Sequence, residues 1–522
     1  MAFRSPYPDV AVPDVSLPEL LFGALSPEQA AAPALIDGPS GRTLRYGELA
    51  ALIDKAAAGL AARGINKGDV VGIFSPNTPY YAVVFHGVLR AGAVATTVNA
   101  LYTAEELAHQ LIDAGAKLLF TVSAFAERAL AAAEAAGIAE VIFLDGLDGH
   151  PALAELLATE AAPPVIEFDP AEDLAVLPYS SGTTGRAKGV MLTHRNLVAN
   201  IEQFKQVVHI NSADRVLAVL PFFHIYGMQV TMNHALAVGA TVVTMPKFDL
   251  AEFLRIIAEH RTSYVYIAPP VAVALAKHPM VDDYDLSAMK MLFSGAAPLD
   301  AELANAVAKR LGVAVRQGYG MTEMSPVSHA IPSDRPDINV GTVGLILPNM
   351  VCKLVDPATD EESLPGQPGE LWCQGPNVMK GYLNNEEATK STLDDEGFLH
   401  TGDVAVIDEH GVVSIVDRVK ELIKYKGYQV PPAELEALLL THPQIADAAV
   451  IGVRDADGEE VPKAFVVRQA GAEELDETAV MTFVAGQVAP HKKVRVVEFL
   501  TAIPKSASGK ILRKDLRARE RG

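Results

Sequence analysis

At 522 residues the chain is longer than one hydrophobic core usually serves, so two or more domains are expected. Half of its residues are apolar, enough for sizeable cores, and 43 basic against 64 acidic residues leave a net charge of -21, which argues against a nucleic-acid or anionic-membrane partner. Two cysteines, Cys352 and Cys373, are too few for a disulfide framework or a zinc site and read as small hydrophobes in strands, in keeping with a reducing cytoplasm.

The chain opens with Met1-Ala2-Phe3-Arg4-Ser5-Pro6, which lacks the apolar segment of a secretion signal, and it closes with Arg519-Glu520-Arg521-Gly522, which is no peroxisomal tripeptide. A soluble, untargeted protein is the expectation. Thr103-Ala104-Glu105-Glu106 is a capping box, Leu107 and Leu111 share a helical face, Gly115 can end that helix, and Leu118 to Val122 reads as a buried strand. The unit recurs: Asp249 caps a helix carrying Phe253, Ile256 and Ile257 before the strand Tyr264 to Ile267, and Asp300 opens a helix that stops near Gly312 before Val313 to Arg316. Alternation of this kind predicts an α/β fold of stacked, mostly parallel sheets with helices on their faces, whose ligands collect at the loops after strand ends. Between these units, Val216 to Pro246 contains no Lys, Arg, Asp or Glu. Pro221, His224, Gln229, Asn233 and His234 interrupt it, so a buried segment lining a pocket is expected rather than a membrane span. The text becomes charged around Asp417-Arg418, and Pro431-Pro432-Ala433-Glu434 then opens another helix, followed by strands at Ala448 to Val453 and Ala464 to Val467 and a basic tail. This change sets the predicted domains, 1 to 417 and 418 to 522.

Chemistry concentrates first in Ser180-Ser181-Gly182-Thr183-Thr184-Gly185-Arg186-Ala187-Lys188-Gly189, directly after the apolar run Leu174 to Tyr179. Glycines let main-chain N–H groups converge on an anion, hydroxyls add donors, and a lysine supplies charge for phosphates. Gly182 and Gly185 stand too close together for a Walker A loop, and composition alone would leave the stretch a flexible turn. Five further motifs follow: Pro221 to Gly227 (PFFHIYG), Gln317 to Glu323 (QGYGMTE), Thr401-Gly402-Asp403, Asp417 to Gln429 (DRVKELIKYKGYQ) and Pro504 to Lys510 (PKSASGK). Taken singly, Asp403 is a turn former, His224 and Tyr226 are core, and Lys510 is a solvated charge. Their joint order makes them a site.

Those six motifs resemble the core motifs of the adenylate-forming superfamily, which includes acyl-CoA synthetases, peptide-synthetase adenylation domains and beetle luciferases. The resemblance runs from about Leu44 to Lys514. It implies a large N-terminal domain followed by a small mobile α+β C-terminal lid, and a reaction in which ATP converts a carboxylate into an acyl adenylate before coenzyme A takes the acyl group. On this resemblance Ser180, Ser181, Gly182, Thr183, Thr184, Gly185 and Lys188 handle phosphates. Gln317, Gly318, Tyr319 and Gly320 line the nucleotide, with Tyr319 near adenine, and Thr322 contacts the α-phosphate. Glu323 and Thr184 help hold Mg2+, and Asp403 accepts from the ribose hydroxyls with Arg418 assisting. Lys510 looks like the adenylation lysine. The lid is then implied to rotate about Asp417 to Lys420, withdrawing Lys510 and presenting Lys424 and Gln429 for thioester formation, with Lys426, Gly427 and Tyr428 toward coenzyme A.

Within the superfamily the match is to 4-coumarate:CoA ligases, through Ser180 to Met191 followed by Leu192-Thr193-His194-Arg195-Asn196, and through Gly369-Glu370-Leu371-Trp372-Cys373-Gln374-Gly375, which departs from that family's usual second box. His224 and Tyr226 resemble the aromatic gate and acyl wall, and Val230, Phe293, Gly295, Ala296, Gly320, Pro326 and Val327 complete the implied acyl pocket. Val230 stands where plant coumarate ligases commonly offer a hydroxyl to the phenol, and Phe293 replaces a frequent lysine. Cinnamate-like acids are therefore expected, with medium-chain fatty acids as the alternative. A catalytically inactive nucleotide sensor is the reading from another class, and retention of Lys510, Glu323 and Asp403 argues against it.

Overall fold

The structure is a computed structural model that describes residues 2–520 apart from 181–186, 358, 365, 420, 426–427, 456–459 and 507–508, without the side chains at 424, 428 and 429. Among the described residues a nine-stranded sheet carries a parallel centre, Ala314–Gly320, Met291–Ser294, Tyr264–Ile267, Arg215–Ala218, Thr241–Thr244 and Pro33–Asp37 in that order, with antiparallel strands at both ends. An eight-stranded sheet repeats the plan: Leu174–Val176, Val94–Thr97, Val70–Phe74, Ala116–Thr121 and Glu140–Phe143 run parallel, and Lys188–Thr193 joins them antiparallel. A five-stranded sheet, Phe3–Arg4, Val351–Val355, Gly369–Gln374, Leu399–Ile407 and Val413–Arg418, is wholly antiparallel. Two of its four neighbouring pairs are consecutive strands, joined without the crossover helix that parallel pairing demands.

Local signals set the element ends. Thr103 Oγ1 accepts from the Glu106 N–H at 3.3 Å while Glu106 Oε2 accepts from the Thr103 N–H at 2.8 Å, and Gly115 closes the helix Ala104–Ala114 in the left-handed conformation. Asp249 and Asp300 accept from N–H groups in the first turns of Leu250–His260 and Ala301–Leu311 as expected. The uncharged stretch 216–246 folds as strand, helix and strand inside the large domain, and no helix among the described residues is long and apolar enough to cross a membrane. One property of this stretch is not legible from its composition: Tyr226–Asn233 is a π-helix, a form that concentrates at functional sites.

The small C-terminal domain has its own core. Ile445–Arg454 and Glu460–Arg468 pair antiparallel, Val496–Phe499 adds a parallel strand, and the helices Pro432–Thr441 and Glu477–Ala485 contribute Leu435, Leu439, Val480 and Val484 to the same apolar cluster. Asp417, at the end of the last body strand, accepts at 3.0 Å from the Ala433 N–H at the start of Pro432–Thr441, where a helix leaves its N–H groups free. Cys352 and Cys373 sit in strands as expected, buried free thiols directly opposite each other with their sulfurs 3.6 Å apart.

Candidate active site

At the two ends of the hydroxyl-rich stretch, Ser180 pairs with Lys188 and Tyr179 with Gly189 in an antiparallel ladder. Ser181, Gly182, Thr183, Thr184 and Gly185 lie outside the described residues. Ser180 meets Glu323, a buried carboxylate in the turn Thr322–Met324. Glu323 Oε1 accepts from Ser180 Oγ at 3.0 Å and from the Tyr382 hydroxyl at 2.8 Å, and the Lys188 ammonium stands 4.3 Å from the centre of the Tyr382 ring. Burial, with the Glu323 charge behind it, raises the pKa of the Tyr382 phenol, so it stays a donor. Tyr382 is a residue that sequence reasoning missed. It comes from a two-residue strand far along the chain, and nothing local marks it.

A second buried carboxylate, Asp403, shares the electrostatic surroundings of Lys510 with Glu323. It accepts from the Tyr319 hydroxyl at 2.6 Å and pairs with Arg418 Nε at 3.1 Å. The ion pair follows from sheet register, since Asp403 and Arg418 face each other on neighbouring antiparallel strands. Tyr319 belongs to Ala314–Gly320, whose path toward the site is possible only with glycine: a Cβ on Gly320 would fall 2.1 Å from the Pro326 carbonyl oxygen, and one on Gly318 would fall 2.7 Å from that of His329. Gln317 lies on the same strand. Its buried amide donates to the carbonyls of Leu299 and Val340 and accepts from the Leu299 N–H, which commits it to holding the strand end. Thr322 opens the turn that carries Glu323.

Lys510 arrives from the C-terminal domain. Its loop is pinned by Ser506, whose N–H donates to the Lys510 carbonyl at 2.8 Å and whose hydroxyl accepts from the Lys510 N–H at 3.1 Å. Gly509, in the left-handed conformation, packs so closely on the large domain that a Cβ there would stand 3.1 Å from Ala268 Cβ. Burial lowers the Lys510 pKa to about 8; Arg418 also lowers it, while Asp403 and Glu323 act in the opposite sense. Both carboxylates and the lysine therefore share one electrostatic neighbourhood. His224 belongs to it as well: burial, then the Lys510 charge, lowers its pKa to about 4, and its Nδ1 accepts from the Tyr226 N–H at 3.3 Å, so the ring is neutral with its proton on Nε2.

The opposite wall is aromatic. Tyr226 starts the π-helix, its hydroxyl donates to the Phe293 carbonyl at 3.3 Å, and its ring lies so near Gly295 that a Cβ there would be 2.8 Å away. Val230 is buried on the same π-helix, Phe293 is buried in Met291–Ser294, and Val327 is buried next to Pro326. Ala296 is exposed beyond Gly295 with φ 70°. A residue not anticipated, Tyr266, stands in register with Phe293; the ring centres are 5.6 Å apart, and its ring lies 6.2 Å from that of Tyr226. The Tyr266 hydroxyl is buried without a hydrogen-bond partner among the described residues. Its place near the end of the parallel strand Tyr264–Ile267 was the available signal for it.

In the C-terminal domain, Lys424 and Gln429 face each other across the two-stranded ladder Ile423–Tyr425 and Tyr428–Val430. The side chains of Lys424, Tyr428 and Gln429, and all of Lys420, Lys426 and Gly427, lie outside the described residues. Among the described residues no group of three or more His, Cys, Asp or Glu side chains is arranged to hold a metal.

Glu323 held by Ser180 and Tyr382, Asp403 held by Tyr319 and Arg418, and a lysine delivered by a separate domain fit an adenylating enzyme. The family model for AMP-binding enzymes matches residues 26–383, and that for the AMP-binding enzyme C-terminal domain matches residues 434–510. The chain is 42% identical over 531 residues to 4-coumarate–CoA ligase 3 of Oryza sativa subsp. japonica, covering 99% of this chain and 95% of that one. It is 43% identical over 532 residues to 4-coumarate–CoA ligase 1 of Solanum tuberosum, covering 99% and 96%. Among solved structures, ATP-bound MatB from Rhodopseudomonas palustris superimposes with a TM-score of 0.87 at 33% identity, over 97% of this chain and 98% of the other. A benzoate CoA ligase from Burkholderia xenovorans LB400 gives 0.86 at 26% identity, over 96% and 100%. The chain belongs to the AMP-binding enzyme family. It is an AMP-forming acid:CoA ligase: a carboxylate and ATP give an acyl adenylate and pyrophosphate, and coenzyme A then gives the thioester and AMP.

Proposed function

We propose that the acid is a cinnamate-type aryl acid and that ATP is used as its Mg2+ complex by a cytoplasmic enzyme of two domains, 1–417 and 418–522. The observation that carries the substrate reading is the uncharged aromatic wall of Tyr226, Phe293 and Tyr266. Stacked and edge-on contacts suit a planar ring. Val230 offers a ring hydroxyl no partner. A chain of medium length would fill the same wall.

Mg2+ asks little of the protein beyond one or two carboxylates, because phosphates and waters complete its octahedron. A single buried Glu323 beside Ser180 fits that demand. The ion would neutralise phosphate charge as the carboxylate approaches. Lys510 would attend the substrate carboxylate and α-phosphate during adenylation, Asp403 the ribose, and His224 and Tyr226 the acyl entrance. For the second step the C-terminal domain would turn and present Lys424, Gln429, Lys426, Gly427 and Tyr428 to coenzyme A.

Substrate choice is tested by kcat/KM for cinnamate, 4-coumarate, caffeate and octanoate on the wild type and on Val230→Ser. An unmatched buried hydroxyl costs about 1 to 3 kcal/mol, roughly tenfold to a hundredfold in selectivity. The wild type is expected to use cinnamate better than caffeate, and the variant to gain on 4-coumarate. Preference for caffeate, or for octanoate over every aryl acid, would overturn the reading.

A pH profile tests Lys510 independently. With a pKa of about 8 its ammonium is charged below that pH and loses its proton above it, so kcat/KM for pyrophosphate release should fall as pH rises through about 8. A guanidinium keeps its charge throughout that range, and in Lys510→Arg the falling limb should vanish. An alkaline limb that persists unchanged in the variant would assign it to another group.

A further inference from the structure

The helix Pro269–Lys277 follows Tyr264–Ile267 in the large domain, and both of its ends touch the C-terminal domain. At its start, Ala268 and Pro270 receive Gly509, the residue preceding Lys510. At its end, the Lys277 ammonium lies 3.4 Å from the Leu440 carbonyl oxygen and 3.3 Å from that of Ile445. Leu440 is in the last turn of Pro432–Thr441, where carbonyls lack partners within the helix and the helix dipole is negative, so a cation is well placed there. Partial burial lowers the Lys277 pKa. A nine-residue helix spans about 13 Å. Two contacts that far apart fix an angle as well as a position.

We propose that Lys277 is a positioning residue that latches the C-terminal domain in the pose that delivers Lys510 to Asp403 and Glu323. It touches neither nucleotide nor acid. The inference rests on the reading that Lys510 serves adenylation and that the domain turns before thioester formation, a turn that would part Lys277 from Leu440 and Ile445. The latch therefore favours the first half-reaction alone.

The test compares Lys277→Met, Lys277→Arg and wild type in two assays with the full-length enzyme: acid-dependent ATP–pyrophosphate exchange, and thioester formation from supplied cinnamoyl adenylate and coenzyme A. Losing hydrogen bonds of this kind is worth about a two- to tenfold change. Lys277→Met should slow exchange by that factor while thioester formation is unchanged or faster, and Lys277→Arg should restore exchange. Equal losses in both assays, or no loss in exchange, would overturn the latch. Lys510→Ala run alongside separates the two ideas: if it divides the half-reactions and Lys277→Met does not, the latch alone fails, and if neither divides them, the two-pose reading fails with it.

Discussion

Lys510→Ala is expected to slow acyl-adenylate formation by a hundredfold or more while leaving thioester formation from supplied adenylate nearly intact. The carboxylate and the α-phosphate are both anionic, and the attack brings them together in a cleft that already holds Glu323 and Asp403. Lys510 carries the positive charge that the C-terminal domain adds to this neighbourhood, in a buried position where water screens it poorly. Removing one preorganised donor from such a site costs on the order of a hundredfold to a thousandfold. Pyrophosphate release and ATP binding are measured separately. ATP affinity should change little, because the lysine acts at the reacting centre, and wild-type pyrophosphate release would remove Lys510 from the mechanism.

Asp403→Asn is expected to raise the KM for ATP by roughly tenfold to a hundredfold with a smaller effect on the acid. Hydrogen bonds to charged groups are worth about 1.5 to 3 kcal/mol, and in its proposed role Asp403 would lose the charge that accepts from the ribose. The damage spreads further. Arg418, 31% exposed, would keep its charge without its 3.1 Å partner, at a smaller cost than in a fully buried pair. Thermal unfolding of the apo variant distinguishes this from general collapse: a normal melting transition with a raised KM confirms a nucleotide contact, whereas normal KM values would take Asp403 off the ribose.

Much of this site could be read in the chain because its parts are local. Thr103, Asp249 and Asp300 cap the helices they precede, since a cap depends on residues within three positions, and the strand that follows the Asp300 helix carries Gln317 to Gly320. The partners of those motifs are distant and were not readable. Glu323 is gripped by Ser180 and Tyr382, which approach from two other strands. Gln317 reads as part of a nucleotide motif, yet its amide is spent on Leu299 and Val340, because strand spacing tells which residues share an end and not which way an amide turns. Cys352 and Cys373 read as two separate small hydrophobes, and only sheet register sets them side by side. The π-helix gave no periodic sign, as an apolar stretch buried on every side shows no face.

That π-helix makes the acyl wall sensitive to counting. His234 donates back to Gln229 across five residues instead of four, so the turn contains one residue more than an α-helix would use over the same height. Each residue advances an α-helix by about 100°. Loss of a single residue between Met228 and Thr231 would let the segment tighten into an ordinary helix and rotate Tyr226 by that angle relative to His234, carrying its ring away from Gly295. The shape of the substrate wall is thus stored partly in the length of the chain, and an insertion or deletion can reset it in one step where point substitutions only trim it.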